Sequence, residues 1–235
     1  MAAVRLDKLI ADSGLASRRE AKELIKKGKV RVDSSIAASG DIKVDPDISE
    51  IYIDGQRIDY KKHRYIMMNK PNGVLSATED AGQETVIDLL PESLRKQELF
   101  PVGRLDKDTT GLLLLTNDGG FSHSIISPKH HVAKVYRAAV TGVLDEEDIK
   151  AFREGISLSD GTKCMSAGLR IERPSVGIAT VYEGKYHQVK RMFASRGKHV
   201  TALHRLSIGG LDLDPALKPG EFRELTEDEK NSIFE

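Results

Sequence analysis

The sequence lacks most of what would commit a chain to a membrane, a disulfide scaffold or a redox cofactor. Its 235 residues contain one cysteine, Cys164, so no internal disulfide can form, and a zinc site built from cysteines is not expected. A reducing cytoplasm suits such a chain. No apolar run approaches the roughly 20 residues of a membrane span. The first residues, with Arg5, Asp7 and Lys8, lack the apolar stretch of a secretory signal. Charge of neither sign prevails: 36 Lys and Arg balance 36 Asp and Glu, so net charge says nothing about partners. Dinucleotide, P-loop and metal-ligand motifs are missing as well, and no cofactor or metal is expected. The length allows one large domain or two smaller ones, with room for a real core.

What is present is segregated charge. From Val4 to Arg31 nine basic residues stand against four acidic ones, a net +5. Leu6, Leu9 and Ile10 recur at helical spacing and predict a short helix ending near Ser13-Gly14. Ser17-Arg18-Arg19-Glu20 has the form of a capping box and opens a second helix, running to about Lys27 with Gly28 as its stop. Ala21, Leu24 and Ile25 make its inner face, while Arg18, Lys22 and Lys26 line up on the outer one. Strands are predicted at Lys29–Asp33 and Ile51–Gly55. A one-sided basic stripe (Arg5, Arg18, Arg19, Lys22, Lys26) suits phosphate contacts. Arg5-Leu-Asp-Lys-Leu, Ser17-Arg-Arg-Glu-Ala and Gly28-Lys-Val-Arg-Val together resemble the S4 RNA-binding domain over about residues 3–60. From Asp41 to Asp59 the sign reverses, with six acids against Lys43 and Arg57, which places this stretch on the face turned away from RNA. Asp59–Arg64 is polar and reads as a linker.

The stretch Pro101–Asp118 is the centre of the chain. Gly103-Arg104-Leu105-Asp106 puts one carboxylate beside Arg104 and Lys107, and Thr109-Thr110-Gly111 leads into the apolar run Leu112–Leu115, a buried strand. Nearby cations favour an ionised Asp106, as a nucleophile or base requires. This pattern resembles the catalytic motif of the RNA pseudouridine synthases, and further segments over nearly the whole chain narrow the resemblance to the ribosomal small-subunit type. Tyr65–Gly73 reads as a strand running into a Lys-Pro-x-Gly turn, which in the family lies near the active site as support. Asp88-Leu-Leu-Pro91 reads as the end of a short helix. His123, His130 and His131 lack a metal-ligand spacing, and RNA contact or local hydrogen bonding is expected of them. In the family a Tyr in a Lys-x-Tyr setting sits against the target base, which implies Tyr136, at the start of a strand from Lys134 through Val140.

Asp145–Phe152 reads as an exposed helix, Gly155–Lys163 as a turn-rich connector without recognisable chemistry, and Val176–Tyr182 as a strand. Between Glu183 and Arg205 six cations face one acid, and the spacing of Val189, Met192 and Phe193 predicts one buried helical face. The family's Gly-x-x-His-Gln-x-basic segment supplies the cation paired with the catalytic Asp. That register implies Lys190, with Arg191 as the alternative because most relatives in the wider superfamily carry Arg there. His187 and Gln188 are implied RNA contacts. Lys190-Arg-Met-Phe193 and Ser127-Pro-Lys-His-His131 resemble the small-subunit enzymes more than the large-subunit ones. Leu203–Leu211 reads as a strand and turn, and the acidic tail from Glu221 as a solvated terminal helix.

The resemblance implies an α+β chain: an S4-like domain over 1–60, then a catalytic domain over 61–235 with a mixed, mostly antiparallel sheet and flanking helices. It further implies a monomer that isomerises a uridine of 16S ribosomal RNA. The reaction breaks N1–C1′ and joins C5 to C1′, needing no cofactor. Asp106 could attack C1′ or C6 or take the C2′ proton, with Arg104 filling the place the flipped base leaves. Three rival readings compete with this one. A 23S-rRNA synthase keeps the chemistry, a non-catalytic ribosome-associated binder has no need of the Asp-Tyr-Lys set, and a Mg²⁺-dependent phosphatase needs its apolar strand before Asp106-Lys-Asp-Thr-Thr rather than after it.

Overall fold

A computed structural model describes residues 3–46, 48–58 and 60–235. Asp47 and Asp59, two of the acids counted above, lie outside the described residues. The chain forms two compact units, residues 1–64 with 90–99, and residues 65–89 with 100–235.

In the first unit, β1 (Val4–Arg5) leads into α1 (Leu6–Asp12), whose Leu6, Leu9 and Ile10 are fully buried. Each such aliphatic side chain contributes about 1.5–3 kcal/mol. The second helix, α2 (Arg18–Lys26), begins at the expected capping box: Ser17 accepts from the Glu20 N–H, and the Glu20 carboxylate accepts from the Ser17 N–H at 2.7 Å. Gly28 follows in the left-handed region at φ 70°. A four-stranded sheet orders β3 (Ser35–Ile36), β2 (Val30–Val32), β5 (Ile51–Ile53) and β6 (Gln56–Arg57), and β4 (Lys43–Val44) pairs with β1. Residues 60–64 are less of a free linker than their polarity suggests. Tyr60 packs on the core, and buried Arg64 donates through Nε to Gln97 at 3.1 Å. The expected helix end at Asp88–Pro91 is corrected too. Pro91 precedes a helix, α3 (Glu92–Arg95), as its N-cap, a place where its missing N–H costs nothing.

The second unit is built on a nine-stranded sheet. Its strands are β7 (Tyr65–Lys70), β8 (Phe100–Pro101), β9 (Thr109–Thr116), β10 (Lys134–Val140), β11 (Gly168–Arg173), β12 (Val176–Val181), β13 (Val200–Ile208), β14 (Leu211–Asp212) and β15 (Phe222–Glu224). The main path runs β11-β12-β10-β13-β9-β7-β15, with β14 beside β13 and β8 beside β9. Every pairing is antiparallel except β9 with β13, so the sheet is mixed and mostly antiparallel. The run Leu112–Leu115 is buried on both faces, as an apolar run without alternation requires. No helix among the described residues is long and apolar enough to cross a membrane.

Helices α4 (Gly119–Ile126), α5 (Glu146–Glu154), α6 (Gln188–Ser195) and α7 (Glu227–Ser232) flank this sheet. Two of them are less solvated than their charge suggests. On α5, Phe152 and Asp148 are fully buried, and Lys198 and Arg196 neutralise Asp148 at 2.6 and 3.1 Å. Burial by itself would raise the Asp148 pKa, but these partners bring it below the ordinary value. After α7, Ile233 is buried, and Arg223 ties Glu229 to Asp214 through two 2.6 Å ion pairs.

Lys134 is buried where β10 begins, donating to the carbonyls of Ile125 and Val132 at 2.9 and 2.8 Å. Burial, with nearby Arg205, pushes its pKa down from 10.5 to about 8. Between these values the unfolded chain binds a proton that the folded chain releases, so stability rises with pH across that window. The contribution reaches roughly 3 kcal/mol at its upper end. Urea unfolding at pH 7.5 and pH 10 is expected to show a smaller rise in Lys134→Met than in the wild type. Equal rises would mean that Lys134 holds its proton in the folded chain as firmly as in the unfolded one.

Candidate active site

Asp106 lies in the loop that enters β9, and three side chains from the preceding strand and turn region hold this loop. Lys70, at the end of β7, has no exposed surface. Its Nζ donates to the carbonyls of Pro71, Lys107 and Thr109 at 3.0, 3.2 and 3.0 Å. Burial lowers its pKa to about 8 despite the nearby Asp108 and Asp106 carboxylates. Ser76 Oγ donates to the Leu105 carbonyl at 2.9 Å and accepts from the Leu105 N–H at 3.1 Å. Lys107 Nζ, which leans outward, donates to Gln83 at 2.7 Å. The backbone on both sides of Asp106 is therefore fixed by buried contacts, the kind of support a positioned catalytic group needs.

Facing it is α6. Its apolar side is Val189, Met192 and Phe193, all buried as their spacing predicts. That packing turns Lys190 toward the loop, where its Nζ lies 2.9 Å from Asp106 Oδ2 and 2.5 Å from Asp108 Oδ1. Burial would lower the Lys190 pKa, but hydrogen bonds and charge from Asp108 and Asp106 outweigh it and raise the value above 10.5. The Lys190 hydrogen bond in turn holds Asp108 below the ordinary carboxylate range. His187, the α6 N-cap at φ 48°, brings Nε2 to 3.3 Å from Asp106 Oδ1.

Arg191 points elsewhere. It forms a 2.5 Å ion pair with Asp160, in the connector from which no chemistry was expected, so it is not a second partner of Asp106. Gln188 also departs from expectation. It is buried, with Nε2 donating to Glu183 at 2.9 Å and Oε1 accepting from the Lys185 N–H at 3.0 Å. It shapes the 183–188 turn from within and lines the inner wall of the Asp106 pocket.

Tyr136 sits on β10 where the β10–β13 register shifts, between Val135 and Tyr136. Such a bulge re-aims a side chain. Tyr136 lines one narrow pocket together with Arg104, Asp106 and His187. Arg104 is exposed at the mouth, lining both this pocket and the wider cleft beside it. Behind Tyr136 is a residue that composition alone did not single out. Arg205, on β13, is buried, donates to the Leu112 carbonyl at 2.7 Å and reaches the Tyr136 hydroxyl at 3.3 Å. Among the described residues, its Nη2, like Thr109 Oγ1, is buried without a hydrogen-bond partner. Arg205→Met should release Tyr136 from this contact and strand the Leu112 carbonyl. The expected result is a fall in turnover of about tenfold, with a stability loss of about 1–3 kcal/mol. Steady-state kinetics alongside thermal unfolding checks both, and unchanged turnover would remove Arg205 from the support of the site.

In the first unit, Arg18, Arg19, Lys22 and Lys26 are exposed along α2. Arg5 is engaged differently. Its guanidinium clasps the buried Asp7 carboxylate at 3.0 and 2.9 Å, lowering that group's pKa, and Lys22 lies 4.0 Å from the same carboxylate. Arg5 therefore also serves the fold. Exposed His123, His130 and His131 stand around the end of α4, the first two with ring centroids 6.3 Å apart.

Lys190 thus faces the Asp106 and Asp108 carboxylates, and Asp106 shares an open pocket with Tyr136. Residues 64–195 match the family described as RNA pseudouridylate synthase, and residues 4–47 match the S4 domain. The chain belongs to the RNA pseudouridine synthases that carry an S4 domain. It is 48% identical to the RNA pseudouridine synthase YtzG of Bacillus subtilis over 99% of each chain. It is 43% identical to ribosomal small subunit pseudouridine synthase A of Vibrio cholerae, over 98% of this chain and all of that one. A crystal structure of a pseudouridylate synthase, 38% identical, superimposes with a TM-score of 0.70 over 98% of this chain and 99% of that one.

Proposed function

We propose that this enzyme converts one uridine of small-subunit (16S) ribosomal RNA to pseudouridine, with Asp106 as the nucleophile. The observation that carries the reading is the Lys190–Asp106 ion pair at 2.9 Å, with Asp106 and Tyr136 lining one pocket. The reaction exchanges the N1–C1′ bond for a C5–C1′ bond. The proton leaves C5 and N1 gains one, so no redox partner is consumed. Lys190, its pKa raised, stays charged through neutral pH and keeps a cation against Asp106. Tyr136 stacks on the base and Arg104 takes the place it vacates in the RNA. Extruding the base costs a few kcal/mol of stacking. Residues 1–60 act as the RNA-binding domain and 61–235 as the catalytic one, the exposed basic face of α2 meeting phosphates and raising the local concentration of the target. The small-subunit assignment is supported by the naming of the Vibrio cholerae relative. Unmodified small- and large-subunit rRNA, incubated with the protein and mapped by carbodiimide labelling and primer extension, tests it. A new stop in small-subunit RNA is expected, and a stop confined to large-subunit RNA would overturn the substrate while keeping the chemistry.

A further inference from the structure

The wider cleft beside the Asp106 pocket holds an aromatic side chain that the isomerisation does not use. Tyr186 is 69% exposed, and its ring lies flat on that of His187, with centroids 3.9 Å apart and planes 17° from parallel. Because His187 Nε2 is 3.3 Å from Asp106 Oδ1, the two rings form a short stack leading outward from the carboxylate. The stack is held from behind. The Tyr186 carbonyl accepts from Arg191 Nη1 at 3.3 Å, and Arg191 is itself anchored on Asp160 at 2.5 Å. The left-handed backbone of His187, at φ 48°, is an uncommon conformation for a side-chain-bearing residue, and it sets the ring beside Asp106. Arg104, Lys107 and Lys185 line the same cleft against one acid, Asp106. Ile126, 44% exposed, supplies an apolar wall. An open aromatic face in a cation-lined groove is the chemistry that binds single-stranded nucleic acid without reading its sequence.

We propose that the Tyr186–His187 stack is a platform for the base of the nucleotide adjoining the target uridine, in a single-stranded stretch of RNA. The proposal rests on the isomerase reading and adds a second base-binding position to it. The ring stack begins at the Asp106 carboxylate and leads outward, so a neighbour of a uridine held at Asp106 falls within reach of Tyr186. An edge-specific reader is not needed, because every base offers a π-face.

The test uses the full-length protein with Tyr186→Ala and Tyr186→Phe. Two probes are used: small-subunit rRNA tritiated at uridine C5, which releases tritium as C5 joins C1′, and a short single-stranded RNA with 2-aminopurine beside its one uridine. Tyr186→Ala is expected to raise KM within the roughly 5- to 150-fold range set by base–aromatic stacking, with the effect on KM and not on kcat. It should also lose the 2-aminopurine quenching that wild type gives, while Tyr186→Phe keeps both properties, since the ring and not the hydroxyl does the stacking. Tritium release by wild type with an unchanged KM and unchanged quenching in Tyr186→Ala would overturn the platform and leave the isomerase intact. Quenching that depends on Tyr186 without tritium release from the small-subunit rRNA would keep the platform and overturn the small-subunit reading. A fall confined to kcat would also overturn the platform and assign Tyr186 to positioning His187 instead.

Discussion

Asp106→Asn is expected to abolish pseudouridine formation, lowering kcat by at least about 10⁴-fold, the scale seen when the attacking group of an enzyme is removed. Asn fills nearly the same volume, so packing around the loop is kept. The anchors at Lys70, Ser76 and Gly73, which hold the backbone of Leu105, Lys107 and Thr109, do not involve the Asp106 side chain. Lys190 is not orphaned either, since Asp108 remains 2.5 Å away. What disappears is the negative charge and with it the proposed nucleophile. RNA affinity should change little, because the cations lining the cleft are untouched. Tritium release and primer extension measure the first quantity, and filter binding of the same RNA measures the second. Activity within tenfold of wild type would move the covalent step off Asp106. A matching loss of RNA binding would instead mean that the substitution collapses the cleft.

Much of this architecture is legible in the sequence, because its causes are local. The capping box at Ser17 and Glu20, the doubly buried run Leu112–Leu115 and the amphipathic spacing of Val189, Met192 and Phe193 need no distant partner to be read. The last also determines which of two adjacent cations faces β9. Once the apolar side of α6 is buried, Lys190 and Arg191 must diverge, one toward Asp106 and the other toward Asp160.

What was not legible depends on residues far apart in the chain. Arg205 meets Tyr136 because β10 and β13 pair with a register shift, and nothing near Arg205 in sequence signals that. Lys70 looked like part of a turn. Its role as a buried clamp on three carbonyls appears only when β7 lies beside β9. The same limit misled the reading of charge as exposure. Asp148 and Arg64 are charged and buried, each with a partner that sequence distance concealed.

A large structural effect is expected at Gly111. Its backbone lies at φ 101°, where a Cβ is strained, and a Cβ built there would lie 2.3 Å from the Arg205 carbonyl oxygen and 2.7 Å from the Arg205 nitrogen. Those atoms are backbone of the neighbouring strand, so no side-chain rotation relieves the overlap, and β9 and β13 must separate at their one parallel junction. Strain and separation together should cost about 3–5 kcal/mol, placing Gly111→Ala among the most damaging single changes. For a unit of this size the melting temperature should fall by about 10 °C. Gly142→Ala isolates the first of the two causes. Its φ of 81° is similarly strained, yet nothing lies within 4 Å of the added carbon, so about 1–2 kcal/mol is expected there. Because Arg205 supports Tyr136 and Gly111 follows the Asp106 loop directly, separating the strands also draws the two sides of the pocket apart. Gly111→Ala should therefore lose activity below its melting temperature, whereas Gly142→Ala should not. Equal stability losses in the two variants would mean that β9 and β13 can accommodate a methyl group at the junction, and that their close approach does not set the spacing of the site.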